Sequence, residues 1–294
     1  MDETDKKMAS TEGEHPSSRG LDTLVPAALV KLMSLENEAA TRAVSLALPD
    51  IAKAVDSAVQ AIKGGGKVYY VGAGTSGRLG VLDASEMGPT FGVSHFKAVM
   101  AGGTAAITDP VEGAEDDEEA GRSAASVINK NDMAIGITAS GRTPFVLAFL
   151  KAAKSRGASS WLLACSEVSH DFLDGTIITP TGPEIISGST RLKAGTATKM
   201  ALNMISTATM VALGGTYDGL MVDVAPTNAK LIDRAERIIM KIAGCNRKKA
   251  GHALSASGMK TKVAALMAAR DLDADEASAR LEASGGSLRR ALTP

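Results

Sequence analysis

The chain is predicted to be an α/β protein, a three-layer α/β/α parallel sheet with helices before it and a small helical domain after it. Three observations predict this. From Gly64 onward, short apolar runs alternate with longer stretches of helical periodicity, which is the pattern of a parallel sheet covered on both faces. A glycine-rich loop follows the first of those runs directly. The last fifty or so residues keep helical periodicity with no strand-like run.

In chain order, residues 1–20 are polar and carry Pro16, Ser17, Ser18 and Gly20, so they are expected to form an arm or a disordered lead-in. Leu21 to Ile62 has helical periodicity, with a break expected at Pro49. Strands are expected near 67–71, 97–101, 133–138, 160–165 and 176–180. The expected division is an N-terminal arm and helix over 1–50, a ligand-binding α/β domain over 51–235 and a small helical domain over 236–294.

Composition bounds the function. With 294 residues and 45% hydrophobic content the chain can bury a large core, and aromatics at 3% make that core aliphatic. A formal charge of -1 gives no global electrostatic case for nucleic acid or an anionic membrane. No run of about 18 apolar residues is present, and Met1-Asp-Glu-Thr-Asp-Lys-Lys7 lacks the apolar core of a signal peptide. A cytoplasmic protein is the expectation. Cys165 and Cys245 fit reduced thiols, and His15, His95, His170 and His252 show no ligand spacing, so no metal site is expected.

The run Val71-Gly-Ala-Gly-Thr-Ser-Gly-Arg-Leu-Gly80 follows the strand-like Lys67–Val71 and precedes a helical stretch. A helix N-terminus placed there offers free N–H groups and a favourable dipole to an anion. Gly72, Gly74 and Gly77 match a dinucleotide fingerprint, but the next strand-like run ends in Gly102-Gly-Thr104 without the acid that binds a ribose. A nucleotide P-loop would continue with Lys and Ser or Thr, where this chain has Arg78 and Leu79. Thr75 and Ser76 at the loop tip suit a phosphate monoester. Taken alone, the segment also fits a βα turn with no ligand.

Two further hydroxyl-rich loops follow predicted strands. Ser140-Gly-Arg-Thr-Pro144 leads into a helix over Phe145–Arg156, and Arg142 could pair with a phosphate. Ser187-Gly-Ser-Thr-Arg-Leu-Lys-Ala-Gly-Thr196 leads into a long helix and adds Ser189, Thr190, Arg191 and Lys193. Each loop alone reads as an ordinary helix cap. Three in one topological position point to a phosphorylated small molecule.

Two acids are candidates for proton transfer. Glu86 is expected to end the first helix, before Met87-Gly-Pro89, where the negative end of the dipole disfavours a charged carboxylate. Asp109, Pro110 and Glu112 match an N-cap, a first-turn proline and a capping-box acid. Glu115, one turn later, is the candidate base, and Asp116–Glu119 are expected to form a solvated acidic face. On the residues alone, both Glu86 and Glu115 read equally well as surface helix residues.

With these motifs in view, the chain closely resembles the N-acetylmuramic acid 6-phosphate etherases of the sugar isomerase (SIS), flavodoxin-like fold. The resemblance spans nearly the whole chain: G-A-G-T-S-G-R-L-G-V-L-D-A-S-E from Gly72, V-E-G-A-E-D from Val111, A-S-G-R-T-P from Ala139, S-G-S-T-R-L-K-A-G-T-A from Ser187 and M-V-D-V from Met221. It implies cleavage of the lactyl ether of the phosphorylated sugar, giving N-acetylglucosamine 6-phosphate and D-lactate during murein recycling. It places the catalytic pair on Glu86 and Glu115; the phosphosugar contacts expected from the three loops are Gly74, Thr75, Ser76, Arg78, Ser140, Gly141, Arg142, Thr143, Ser189, Thr190 and Lys193. It also implies a homodimer with neither metal nor organic cofactor. The mechanism implied is elimination and then hydration, with Glu115 removing the C2 proton and Glu86 protonating the departing lactate oxygen.

Departures from the family pattern lie in the N-terminal segment, where His15 stands in place of a common asparagine and Ser34-Leu-Glu-Asn-Glu38 replaces a more acidic stretch. In the tail, Ala253-Leu-Ser-Ala-Ser-Gly258 recurs as Arg280-Leu-Glu-Ala-Ser-Gly285, which predicts a small helical domain with an internal repeat; it resembles the ubiquitin-associated-like helical tail of the family. Its basic spots, Arg247-Lys-Lys249 and Arg289-Arg290, are expected to be solvated helix ends. Two rival functions of the same fold are a phosphosugar isomerase and a non-catalytic phosphosugar-sensing regulator.

Overall fold

A computed structural model describes residues 8–293. The chain divides into two compact units, one built from residues up to Ala84 with His95–Ser206, the other from Ser85–Ser94 with the residues from Thr207 onward.

The first unit holds five parallel strands, β1 (Val68–Gly72), β2 (Phe96–Met100), β3 (Met133–Thr138), β4 (Ser159–Ala164) and β5 (Gly175–Ile178), in the order β2-β1-β3-β4-β5. Helices cover both sides. One layer is α4 (Pro144–Ser155), whose Phe145, Val146, Phe149 and Leu150 are buried with Tyr69, Val71, Ala134, Leu162 and Ala164 of the strands. The alternate strand residues Tyr70, Ile135, Ile137 and Leu163 point the other way and are also buried. Burial on both faces explains why these strands read as continuous apolar runs. Burying a side chain such as Phe149 or Leu150 contributes about 1.5–3 kcal/mol.

Helix α1 (Pro26–Lys63) packs on β1, β3, β4 and β5 and runs unbroken through Pro49, where a break was expected. Its buried stripe of Ala43, Val44, Ala47, Ile51, Ala54 and Ala58 continues on both sides of the proline. The packing of that stripe offsets the hydrogen bond lost at Pro49. The residues before α1, from Ala9 on, form the arm, one of the two alternatives expected for 1–20; the first seven lie outside the described residues. Short 3-10 turns at Ser10–Glu12 and Leu21–Thr23 shape the arm. Its Thr11 is fully buried and bonds Ser166 beyond the end of β4.

Helix α2 (Gly74–Phe91) contains Pro89 in its last turn, and α3 (Glu118–Ala124) follows the long connection after β2. The helix expected to begin at Pro110 is absent: the segment forms a 3-10 turn at Gly103–Ile107 and then turns, and Asp117 is the N-cap, accepting from Ala120 N at 2.8 Å. Gly113, at φ +72°, is incompatible with a helix through it, so the helix expected from Asp109 does not form and α3 starts after Asp117. Asp116, Glu118 and Glu119 lie exposed, as expected.

Helix α5 (Lys193–Ala212) leads into the second unit, where α6 (Ala229–Ala243), α7 (Arg247–Ala256), α8 (Thr261–Arg270), α9 (Ala274–Ala283) and α10 (Leu288–Leu292) enclose Ile239, Leu254, Leu266, Leu281 and Leu288. Asn228, Asn246, Asp273 and Ser287 cap four of these helices. The M-V-D-V stretch belongs to this core: Val222 and Val224 are buried, and Asp223 pairs with Lys262 at 2.7 Å. Burial pushes the Asp223 carboxyl up, and Lys262 opposes that. The sequence repeat at 253–258 and 280–285 is two identical helix endings. At each, a glycine with positive φ follows the helix, and the next amide bonds back to the leucine carbonyl, Met259 N to Leu254 at 2.9 Å and Gly286 N to Leu281 at 2.8 Å. The basic spots are helix ends with acidic partners, Arg247 with Asp233 and Glu236, Lys249 with Asp271, and Arg289 with Asp218. Among the described residues no helix is long and apolar enough to cross a membrane.

Candidate functional site

The strand order makes β1 and β3 neighbours whose chains leave in opposite directions, β1 toward β2 and β3 toward β4. In open parallel sheets that switch point opens a crevice at the carboxyl ends of the strands. The glycine loop and the Ser140 loop both sit there, after β1 and β3.

In the first loop the chain turns so sharply from β1 into α2 that Gly72 and Gly77 touch. A Cβ on Gly72 would lie 2.6 Å from Gly77 N, and one on Gly77 would lie 2.7 Å from Gly72 O. Gly74 opens the helix at φ +52°. The Thr75 and Ser76 side chains, half-buried in the first turn, have no hydrogen-bond partner among the described residues. Two free hydroxyls beside free helix N–H groups are suited to a phosphate.

In the second loop the hydroxyls organise one another. Thr138 Oγ1, buried at the end of β3, lies 2.7 Å from Thr143 Oγ1 and 3.4 Å from Ser140 Oγ, which also accepts from Arg142 N at 3.2 Å. Thr143 stands at the N-cap of α4 without making the cap bond. Gly141 takes φ +76° and its carbonyl meets His170 Nε2 at 3.0 Å. Arg142 is exposed and lines a groove with Arg122, Pro144, Leu147 and Lys151 along α3 and α4.

The third loop adjoins the first, since a Cβ on Gly195 would lie 3.6 Å from the Thr75 methyl and 3.4 Å from Thr190 O. Ser189 and Thr190 are half-buried in that loop, and Arg191 is exposed. Lys193 is not free for a phosphate. Its side chain is 4% exposed and its Nζ pairs with Glu36 of α1 at 2.7 Å; the same carboxylate oxygen meets His15 Nε2 at 2.9 Å. The anion position at the start of α5 is filled by the protein itself. Glu184 accepts from Lys193 N at 3.2 Å and from Ala194 N at 2.9 Å. Burial pushes the Glu184 carboxyl up, and those two amides oppose it.

Glu115 does not lie on a helix. It is exposed on the turn before α3, and its carbonyl accepts from Phe145 N at the start of α4 at 3.0 Å. It lines a cavity of about 200 Å³ together with Gly74, Arg78, Met100, Val111 and Glu112. Arg78 turns its guanidinium to backbone, Nε to Ile107 O at 2.9 Å and Nη2 to Asp109 O at 3.5 Å. Glu86 is exposed, and it does not end its helix: α2 runs on to Phe91, so the negative end of the dipole lies beyond it.

Glu184, Glu36 and His15 were not anticipated as parts of this region. The signal for Glu184 was a lone acid in an apolar stretch, Pro183-Glu-Ile-Ile186. Asp83 is buried, and its Oδ1 accepts from Asn203 Nδ2 at 2.6 Å and Ser206 Oγ at 3.1 Å, tying α2 to α5.

Comparison with known proteins adds the lineage. A model of the glucokinase regulatory protein N-terminal SIS domain matches residues 50–154. The chain is 45% identical over 290 residues to the N-acetylmuramic acid 6-phosphate etherase of Serratia proteamaculans, covering 96% of this chain and 97% of the relative. It is 48% identical over 288 residues to the same enzyme of Gloeobacter violaceus, covering 96% and 94%, and 46% identical over 288 residues to that of Salmonella dublin, covering 96% and 97%. With identities of this size over nearly the full length of both chains, the protein belongs to the N-acetylmuramic acid 6-phosphate etherase family.

Proposed function

We propose that the protein cleaves the D-lactyl ether of N-acetylmuramic acid 6-phosphate, releasing N-acetylglucosamine 6-phosphate and D-lactate, as a carbon–oxygen lyase of murein and amino sugar recycling. The observation that carries this reading is the cavity that Glu115 shares with Gly74, at a switch point whose first loop presents the free hydroxyls of Thr75 and Ser76. The phosphate is held by the first turn of α2, through Thr75 and Ser76, and by Ser140 and Thr143, with Ser189 and Thr190 close by.

In the open-chain aldehyde the C2 proton is acidified by the neighbouring carbonyl. Glu115 removes it, the C–H electrons form the C2–C3 double bond, and the C3–O bond breaks as Glu86 protonates the lactate oxygen. Water then adds at C3 and the proton returns to C2, with the two carboxyls in reversed roles. General acid–base help of this kind is worth about 10² to 10⁴ in rate per group.

A homodimer is part of the reading. The acid acting on a sugar held at one glycine loop is assigned to a second copy of the chain. The phosphosugar is the only small-molecule partner, with no organic cofactor, metal, nucleic acid or membrane, and the cytoplasm is the site of action.

The test is release of D-lactate from N-acetylmuramic acid 6-phosphate by the purified protein. Lactate from the wild type, and its loss in Glu86→Gln and in Glu115→Gln, is expected. Phosphosugar binding without lactate would favour the regulator, and interconversion of an aldose and a ketose phosphate the isomerase.

A further inference from the structure

The Glu115 segment has little structure of its own. Between the end of β2 and the start of α3 it forms one 3-10 turn and isolated turn bonds, such as Asp109 N to Ala105 O at 3.2 Å and Asp116 N to Gly113 O at 3.1 Å. Two contacts fasten it to the switch point. At one end Arg78 of α2 bonds the carbonyls of Ile107 and Asp109; at the other Phe145 N bonds the carbonyl of Glu115. No carboxylate pairs with Arg78 among the described residues, although Glu112 and Glu115 line the same cavity.

We infer that Arg78 is a positioning residue for Glu115 and not a phosphate ligand. Its planar guanidinium donates Nε–H to Ile107 O at 2.9 Å and brings Nη2 to 3.5 Å from Asp109 O, a use that a fork of parallel N–H donors serves and a single ammonium does not. Those carbonyls belong to the segment that carries Glu115 against the glycine loop. Arg78 thus links the first turns of α2, where the phosphate is to be held, to the base that acts a few bonds away on the same sugar. A displacement of about 1 Å at such a base costs on the order of a hundredfold in rate. The inference rests on the proposed etherase reading for what Glu115 does, and not for what holds it.

The experiment compares wild type, Arg78→Ala and Arg78→Lys by amide hydrogen exchange over residues 103–115 and by steady-state lactate release. Exchange in that segment is expected to quicken at least several-fold in both variants, with kcat lowered about tenfold to a hundredfold and KM changed less than about threefold. Lysine keeps a cation, so it rescues a phosphate-binding role but not a bridge between two carbonyls. A KM raised tenfold or more in Arg78→Ala and restored in Arg78→Lys, or unaltered exchange over 103–115, overturns the inference. Should Arg78→Ala not fold, Arg78→Lys carries both readouts. A wild type that releases no lactate removes the etherase reading, and the exchange measurement still decides what Arg78 holds.

Discussion

Glu36 Oε2 and Lys193 Nζ lie 2.7 Å apart, across 157 residues of sequence, with the lysine side chain 4% exposed. Burial alone pushes the Glu36 carboxyl up, but the hydrogen bond and charge of Lys193, joined by His15, outweigh it and hold the carboxyl below its ordinary value of 4.5. The pair fastens α1 and the N-terminal arm to the start of α5.

Glu36→Gln leaves a buried ammonium without its counter-charge and is expected to destabilise the protein by about 3 kcal/mol at neutral pH, measured by urea unfolding. Because the folded carboxyl titrates below the unfolded one, this stability is present above pH 4.5 and is lost as pH falls through the folded value. The gap between wild type and variant should therefore narrow on acidification below that point. A gap equal at all pH values would show that the pair contributes no charge-dependent stability. Glu184, raised by burial, acts in the opposite sense: its contribution is present at low pH and is lost as pH rises through its folded value.

The hydroxyl pair at the switch point gives a second expectation. Thr143→Val removes the partner of Thr138 Oγ1 and a proposed phosphate donor while keeping side-chain volume. KM for the phosphosugar should rise about tenfold, from about 1.4 kcal/mol of lost binding, and kcat should change less. A change confined to kcat would place the hydroxyl away from the phosphate.

The layers of this fold were legible because their cause is local. Strands buried on both faces, as β1, β3 and β4 are, must be apolar along their length, and the five expected runs fell within a residue or two of β1–β5. What stayed hidden depends on partners far along the chain. Lys193 looks like an exposed cation until Glu36 is brought to it, and the polar arm looks unstructured until Thr11 finds Ser166. Arg142 differs: its loop was placed correctly, but the direction of an exposed side chain is set by the groove it finds along α3 and α4. Near Asp109 the expected cap is not formed, because Gly113 takes a positive φ through which a helix from Pro110 cannot run.

The twin helix endings of the second unit predict matched costs. Gly258 at φ +65° and Gly285 at φ +60° are followed by the same closing hydrogen bond. A Cβ at Gly258 meets nothing within 4 Å, so Gly258→Ala carries only the backbone penalty of a left-handed residue, about 1–2 kcal/mol. Gly285→Ala should cost a similar amount, since its nearest neighbour is the flexible end of Arg290. Thermal unfolding checks both. Equal stability of either variant and wild type would mean that the helix end relaxes without its glycine.

The arrangement of the two glutamates is tested by mixing dead subunits. If the acid acting at one glycine loop comes from the other chain, a dimer of Glu86→Gln with Glu115→Gln holds one site with both glutamates and one with neither. Random reassociation of equal amounts makes half of the dimers mixed, so roughly a quarter of all sites should be intact. Lactate release should then recover to about a quarter of wild type after the variants are unfolded and refolded together, although each alone is slower by about 10² or more. Refolding each variant separately before mixing provides the control, since intact homodimers carry no complete site. Activity that stays at the mean of the two variants would mean that Glu86 and Glu115 act from the same chain, and the route by which α2 brings its acid to the sugar would then have to begin elsewhere than at Thr75.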